Sequence, residues 1–232
     1  MESRNKVQIL SYIPVDLTVD RVLKQMRLHG DPRRFAAMTE ELIRTVAPLA
    51  RPRAVYKICC VNDKGPDFVE IDGVKFTDRL LVEQLGKVDS VFVCVATCGT
   101  EVEAVEIPSD EVMKRYCLDA IKLVLVIAAS EYLQAFLERQ YGTGSLSSLN
   151  PGELKSFPIE QQRNLFAILG DVEGMIGVRL TENCAMVPTK SRSGIYFPSD
   201  TGFISCRLCS MSRCQGRKAA YDPQLAGQYD TK

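Results

Sequence analysis

Runs of apolar residues in the first half of the chain predict β-strands. Residues 7–12 and 55–61 are short apolar stretches rich in strand-forming residues. Residues 68–76, FVEIDGVKF, alternate apolar and polar side chains around Asp72-Gly73, which is typical of a two-residue hairpin turn. Residues 90–97 are almost all apolar, as expected for a strand that is covered on both faces. The pattern predicts a β core that helices must cover.

Apolar positions spaced three and four apart predict the first helices. Thr18 is placed to cap a helix that ends near residue 28, just before the only histidine of the chain, His29. We expect His29 to lie at the surface beside free helix carbonyls, so histidine catalysis is not expected. Asp31 followed by Pro32 marks the start of a second helix, and its single apolar face must pack on something.

After the hairpin, the pattern predicts three further helices and one loop. Thr77 is expected to cap a short helix. Residues 109–140 predict one long helix whose middle, LVLVIAA, is apolar on all sides and must be buried. Residues 142–150 are rich in Gly and Ser and predict a flexible polar loop, after which a helix starts at 156–158 and stops at Gly170.

Composition narrows the classes of partner. Lys plus Arg and Asp plus Glu both number 29, and the pI is about 6.6. The chain therefore lacks the excess positive charge that binding to a phosphate backbone requires, and no nucleic acid partner is expected. The N-terminal residues lack the apolar core of a signal peptide, and the most hydrophobic run, 123–129, is far shorter than the ~18 residues that span a bilayer. We expect a soluble cytoplasmic protein with no membrane partner.

Three of the nine cysteines follow one another closely near the C-terminus. Cys206, Cys209 and Cys214 form a CxxCxxxxC pattern, in which the first pair can hold a metal within one turn and the third closes from a short loop. Three thiolates are one fewer than the four protein ligands that structural zinc normally takes. The pattern therefore leaves open an iron-sulfur cluster, a zinc site or no metal. Cys98 and Cys184 are candidate fourth ligands, with buried packing cysteines as the alternative for both.

Basic residues flank these cysteines, and they could offset thiolate charge or contact an acidic partner. The alternative for this segment is a solvated C-terminal arm. The basic residues are Arg207, Arg213, Arg217 and Lys218.

Four segments of the chain resemble one known family. They are ATCG at 96–99, ASEYL at 129–133, PGELKSFPIEQQRNLFAIL at 151–169 and IGVRLTENCAMVPTKSRSGIYF at 176–197. Together they are similar to the activation domain of cobalamin-dependent methionine synthase, and most of all to its free-standing relatives. The resemblance covers roughly residues 5 to 200, so we expect residues 1–200 to form an activation-domain-like domain and 201–232 a Cys-rich, metal-binding tail.

The resemblance implies a fold and a function. The fold would be α+β, with a curved mixed or antiparallel sheet flanked by helices and one long central helix. Such a domain binds S-adenosylmethionine in a shallow groove and docks on a corrinoid-binding methyltransferase subunit. There it supports remethylation of oxidised cobalamin with electrons from a flavodoxin or ferredoxin. The protein would then be an accessory component of a methyltransferase.

The resemblance also assigns candidate cofactor-binding residues. Gly152 matches the glycine of the family's ligand motif, and Ser191, Ser193 and Gly194 match small residues that could line the groove or only make a tight turn before a strand at 195–197.

Two positions depart from the family's ligand motif. Ser148 and Glu153 stand where the family has Arg and Tyr. A hydroxyl cannot replace a two-pronged cation, and Glu153 would repel a ligand carboxylate unless it faced the ligand's ammonium or ribose.

Two functions therefore remain open. The intact MVPTKSRSGIYF segment favours a corrinoid-activating protein that uses S-adenosylmethionine. The departures at Ser148 and Glu153 favour an iron-sulfur or zinc-binding electron-transfer or assembly subunit that has lost the methyl donor.

Overall fold

The computed structural model describes residues 6–26, 31–212, 214 and 216–229. Three features singled out in the sequence lie outside the described residues. They are His29, Arg213 and the expected helix end at residue 28.

The described residues form a seven-stranded sheet whose paired strands all run antiparallel. Its order is β4-β3-β2-β5-β9-β6, and β1 pairs with the other part of the long strand β2. The sheet is curled into a half-barrel, which confirms the predicted curved sheet in its antiparallel form. Its strands are β1 (Gln8–Leu10), β2 (Arg53–Lys64), β3 (Phe68–Ile71), β4 (Val74–Thr77), β5 (Ser90–Thr97), β6 (Leu146–Leu149) and β9 (Ser191–Pro198), while β7 (Arg179–Leu180) and β8 (Met186–Val187) form a separate hairpin.

Seven α-helices are described, and they lie on both sides of the sheet. They are α1 (Val19–Gln25), α2 (Ala36–Val46), α3 (Arg79–Gln84), α4 (Val112–Tyr141), α5 (Gln162–Leu169), α6 (Val172–Ile176) and α7 (Pro223–Tyr229). Thr18 caps α1 by accepting a hydrogen bond from the Arg21 amide, and Asp31 caps the 3-10 turn that leads into α2, as the sequence predicted.

Alternating side chains of the central strands point to two separate cores. Val93 and Ile195 belong to the core that α3, α5 and α6 cover. Cys94 and Tyr196, one residue further along their strands, belong to the core under α4. Helices α1 and α2 pack on the far side of α4. The strand β5 is therefore covered on both faces, as its continuous apolar run predicted.

The helix α4 is the central helix that the sequence predicted. Its 30 residues extend about 45 Å at ~1.5 Å per residue. Among the described helices it is the only one long and apolar enough to cross a membrane, with an 18-residue window of mean hydropathy 1.6. The sequence prediction used only the length of the uninterrupted apolar run 123–129. It therefore did not identify the whole helix as long and apolar enough to cross a membrane. In the structure, 56% of that window is buried inside the protein, as expected for a core helix.

Three local predictions were wrong, each because a tertiary contact decided the outcome. Thr77 ends β4, where its amide donates to the Gln161 side chain, and the neighbouring Asp78 caps α3 instead. The expected loop at 142–150 contains strand β6, because Leu146–Leu149 pairs with β9. The strand expected at 195–197 begins four residues earlier, at Ser191, so the small residues before it are not a turn.

The C-terminal segment packs against the body of the protein. The Phe203 ring lies 6.4 Å from the Phe197 ring, centroid to centroid. Tyr229 of α7 donates a hydrogen bond of 2.9 Å to Glu83 of α3. The Arg207 guanidinium and the Asp222 carboxylate, 2.9 Å apart, join the first turn of the tail to the start of α7.

Candidate ligand-binding site

A cavity of about 680 Å³ lies between the edge of the sheet and the C-terminal tail, and we call it the main cavity. Its floor is apolar and comes from α4, with Leu123, Val126 and Ile127. Its polar walls come from β6, from the turn after β6, from the start of β9 and from the tail. The wall residues used below are Ser148, Gly152, Glu153, Lys190, Ser191, Arg192, Ser205, Cys206, Cys209, Cys214 and Lys218.

Gly152 lies where the sequence predicted a close backbone approach. It has a φ of +84°, a conformation that favours glycine. A Cβ at this position would lie 3.3 Å from the Ile159 side chain. Gly152 borders both the main cavity and a smaller neighbouring cavity of about 350 Å³, which we call the side cavity.

The predicted small residues of β9 have different surroundings. The Ser191 hydroxyl donates to the Pro188 carbonyl over 2.8 Å and lies 3.0 Å from the Thr97 hydroxyl, at the edge of both cavities. Ser193 borders the side cavity, and its hydroxyl donates to the Gln162 side-chain oxygen over 2.7 Å. The Gln162 amide nitrogen in turn donates to the Cys184 carbonyl over 2.6 Å. These hydroxyls also hold the segment 162–193 together.

Gly194 has a packing role. A Cβ at this position would lie 1.9 Å from the Asn150 side-chain oxygen, so any larger residue must displace the Asn150 amide. Gly194 is not among the described residues that line either cavity. The structure therefore brings Gly152 and Ser191 to the main cavity, Ser193 to the side cavity and Gly194 to neither.

Glu153 is held by three hydrogen-bond donors. The Asn150 amide donates to its Oε1 over 2.5 Å, and the Arg192 guanidinium donates to the same atom over 3.3 Å. The Ser205 hydroxyl donates to Oε2 over 2.9 Å. The repulsion that the sequence led us to expect between Glu153 and a ligand carboxylate is thus offset by a neighbouring cation.

Arg192 is a candidate site residue that the sequence reasoning missed. It lies on β9 between Ser191 and Ser193 and borders both cavities. A single arginine among the small and apolar residues of a buried strand was the signal that could have found it, because a buried cation needs a partner.

Positive charge predominates around the main cavity. Among the described residues that line it, Lys190, Arg192 and Lys218 are cationic and Glu153 is anionic. Lys190 also forms an ion pair with Asp119 at 3.0 Å. The cavity therefore favours a ligand that carries at least one anionic group.

The three predicted metal-binding cysteines lie on one wall of the main cavity. Cys206, Cys209 and Cys214 are all partly buried there. The Lys218 amide donates to the Cys206 sulfur over 3.4 Å. However, the described residues contain no group of three or more His, Cys, Asp or Glu side chains arranged to hold a metal ion. The metal site stays a prediction.

One arginine organises the loop that carries these cysteines. The Arg217 guanidinium donates to the carbonyls of Cys206, at 2.9 Å, and Cys209, at 3.0 Å. It also donates to the carbonyls of Met211 and Ala219. A planar cation with several donors can close such a loop without a metal ion.

The two candidate fourth ligands lie elsewhere. Cys98 and Cys184 are buried, and neither is among the described residues that line the main cavity. Burial raises the pKa of the Cys98 thiol to about 12, so it stays protonated at neutral pH. Both behave as packing cysteines in this structure.

Comparisons with known proteins point to one family. Residues 155–204 match the sequence model described as the vitamin B12 dependent methionine synthase, activation domain. Among curated proteins, none matches the chain. Among solved structures, the crystal structure of the MetH reactivation domain bound to AdoHcy is similar, with a TM-score of 0.60 and 18% sequence identity. The similarity covers 87% of this chain and 82% of that one.

The matched residues run from the turn before α5 through β9 and end one residue before Ser205, where the cysteine tail begins. The sequence match and the shared fold agree with the resemblance found from the motifs: residues 155–204 are similar in sequence to the activation domain of vitamin B12-dependent methionine synthase, and the chain shares the fold of the MetH reactivation domain.

Proposed function

We propose that this protein reactivates an oxidised corrinoid cofactor held by a partner methyltransferase subunit, with S-adenosylmethionine as the methyl donor. One observation carries the proposal. The segment that matches the activation-domain family, 155–204, supplies the wall of the main cavity that contains Lys190, Ser191 and Arg192. The segment that matches the family model therefore contributes one wall of a ligand-sized cavity.

The main cavity suits S-adenosylmethionine in size and in chemistry. Its volume of about 680 Å³ lies within the range of about 300–1,000 Å³ that is typical of small-molecule sites. The apolar floor on α4 offers a surface for the nucleoside, and the opposite wall offers charged groups for the amino-acid end. In this proposal Gly152 and Ser191 contact the ligand, while Ser193 and Gly194 fix the strand that carries Ser191.

The partner and the electron source complete the proposal. The protein docks on a corrinoid-binding subunit in the cytoplasm and acts as its accessory component. The partner's cob(II)alamin takes one electron from an external flavodoxin- or ferredoxin-type donor and a methyl group from S-adenosylmethionine, which leaves S-adenosylhomocysteine. This chain supplies binding and orientation, and its α4 floor and tail form the walls that keep water from the ligand.

A second candidate function rests on the tail. In this alternative, Cys206, Cys209 and Cys214 hold an iron-sulfur cluster or a zinc ion, and the protein is an electron-transfer or assembly subunit that does not bind S-adenosylmethionine. Their common position on one cavity wall favours it, as does the Lys218 amide that donates to the Cys206 sulfur. The described residues include no group of three or more His, Cys, Asp or Glu side chains that could hold a metal ion, which does not favour it.

A remethylation assay tests the first function. The cobalamin-binding part of a methionine synthase, without its own activation domain and with its cobalamin in the +2 state, is mixed with a chemical reductant, S-adenosylmethionine and this protein. We expect the absorbance of methylcobalamin to appear only when this protein is present, together with an equal amount of S-adenosylhomocysteine. Equal rates with and without the protein contradict the proposal.

Anaerobic purification followed by metal analysis and visible spectroscopy tests the second function. Iron and labile sulfide in a brown protein support a cluster, and stoichiometric zinc in a colourless protein excludes electron transfer at this site. A protein without either metal removes the second candidate.

A further inference from the structure

We propose that Arg192 and Glu153 form the clamp that recognises the α-amino-acid end of the ligand in the main cavity. Arg192 binds the ligand's carboxylate and Glu153 binds its ammonium group. The inference rests on the proposed function, because it takes the ligand to be S-adenosylmethionine or its product. It goes beyond that function by naming a recognition pair at positions where the family's own motif is altered.

The position of the pair is the first argument. Both side chains border the main cavity and the side cavity, so the pair stands where the two spaces meet. Their side chains are only 33% and 28% exposed. A ligand group that reaches them leaves bulk water, and its ionic hydrogen bonds are then less screened than at an open surface.

The unused hydrogen-bonding capacity of Arg192 is the second argument. A guanidinium carries five N–H donors, and the single hydrogen bond that the Arg192 guanidinium makes with the described residues is the one to Glu153. That bond is long, at 3.3 Å, and uses one nitrogen. A ligand carboxylate can therefore pair with the guanidinium through two parallel hydrogen bonds, which is the strongest arrangement for these groups.

The fixed orientation of Glu153 is the third argument. Asn150 and Ser205 hold one oxygen each, at 2.5 Å and 2.9 Å. A carboxylate has about four acceptor positions, so together with the bond from Arg192 three are used and one remains. An ammonium group can take that position without reorienting the side chain, and such preorganisation lowers the cost of binding.

The two groups are complementary to an α-amino acid as a pair. The cation and the anion lie next to each other in the protein, as the carboxylate and the ammonium do in the ligand. A ligand with only one of these groups leaves the other protein charge without a new partner. The pair should therefore select zwitterions over ligands that have the nucleoside alone.

Calorimetric titration of the full chain tests the clamp. The ligands are S-adenosylmethionine, S-adenosylhomocysteine and 5′-methylthioadenosine, which has the nucleoside and the thioether but no amino-acid end. We expect Arg192→Gln to weaken the first two by about 10- to 100-fold, as for a lost hydrogen bond between charged groups. Binding of 5′-methylthioadenosine should change less than about twofold, because it does not reach the pair.

Two further variants keep the test decisive. Arg192→Lys retains the charge without the fork and should recover part of the lost affinity. Arg179→Gln makes the same change at an exposed arginine that lines neither cavity, so it should leave the binding of all three ligands unchanged. Circular dichroism identifies a variant that fails to fold, and Arg192→Lys then carries the comparison with the wild type.

The outcomes separate the two proposals. If S-adenosylmethionine binds the wild type and Arg192→Gln weakens all three ligands equally, or none of them, the clamp is overturned and the proposed function stands. If none of the three binds the wild type, the proposed function fails and the clamp fails with it. Selective loss of the two amino-acid ligands supports both.

Discussion

The Ser205 hydroxyl donates a hydrogen bond of 2.9 Å to the Glu153 carboxylate, and this contact joins the cysteine tail to the wall of the main cavity. The two residues are 52 positions apart in the chain. Ser205 immediately precedes Cys206, the first of the three tail cysteines. Two features that the sequence suggested as separate sites, a groove and a thiol-rich tail, are therefore adjoining walls of one cavity.

Removing this contact should loosen the tail and leave the body of the fold intact. Ser205→Ala leaves one Glu153 oxygen without its donor, which costs about 1–2 kcal/mol. We expect amide hydrogen exchange across residues 205–212 to be about 5- to 30-fold faster, with no change in the strands. Ser210→Ala, at an exposed position of the same segment, is the matched control. Unchanged exchange in Ser205→Ala would show that other contacts hold the tail.

The guanidinium of Arg217 should control access to the tail cysteines. Arg217→Lys keeps the charge but cannot donate to the several carbonyls that Arg217 joins, those of Cys206 and Cys209 included. We expect these thiols to react several-fold faster with a maleimide reagent, measured by mass spectrometry of the labelled peptides. Lys218→Gln keeps its backbone amide on the Cys206 sulfur and should label at the wild-type rate. If the cysteines of Arg217→Lys and Lys218→Gln are labelled at the same rate, the Arg217 guanidinium does not control access to them.

The attachment of α7 should be lost in acid. Hydrogen bonds from the Leu225 amide, and then from Arg207, hold the pKa of the Asp222 carboxyl below its usual 3.8. A lowered folded-state pKa means that the stabilisation is complete above 3.8 and disappears as the pH falls further through the folded pKa. Exchange of the α7 amides, corrected for intrinsic rates, should accelerate below about pH 3.8.

Asp222→Asn should remove this pH dependence, whereas Asp200→Asn, at an exposed position, should preserve it. If the acid-induced loosening of α7 persists in Asp222→Asn, another carboxyl group is responsible.

The packing role of Gly194 predicts a large loss of stability on substitution. Gly194→Ala places a methyl group 1.9 Å from the Asn150 side-chain oxygen, so the two strands must separate or the Asn150 side chain must move. We expect a decrease of about 1–3 kcal/mol in the free energy of unfolding by urea titration. A Cβ at Gly216 meets nothing within 4 Å, so Gly216→Ala should differ from the wild type by less than about 0.5 kcal/mol. Wild-type stability in Gly194→Ala would contradict this packing role and show that the Asn150 side chain moves aside at no cost.

Local patterns predicted the elements whose stability is decided locally. The Asp72-Gly73 turn has φ values of +48° and +78°, as a two-residue hairpin requires, and its sequence alone identified it. The long helix α4 was predicted because its apolar residues continue over eight turns with no Gly or Pro to interrupt them. The overall fold was predicted from these elements together with the resemblance to the activation domain.

Features that depend on distant partners were missed. The strand β6 has two serines at its centre, and only its pairing with β9 makes it extended. Thr77 and Asp78 are both good helix caps, and the bond between the Thr77 amide and Gln161, 84 residues away, decided between them. The Arg192–Glu153 pair spans 39 residues, so no local pattern could have joined them.

A crystal structure of the full chain grown with S-adenosylhomocysteine tests the central claim most directly. We expect ligand density in the main cavity, against Leu123 and Gly152 on one side and the cysteine tail on the other, with the ligand carboxylate on Arg192. Density for the ligand at a different surface, or an empty main cavity at a saturating ligand concentration, would contradict it.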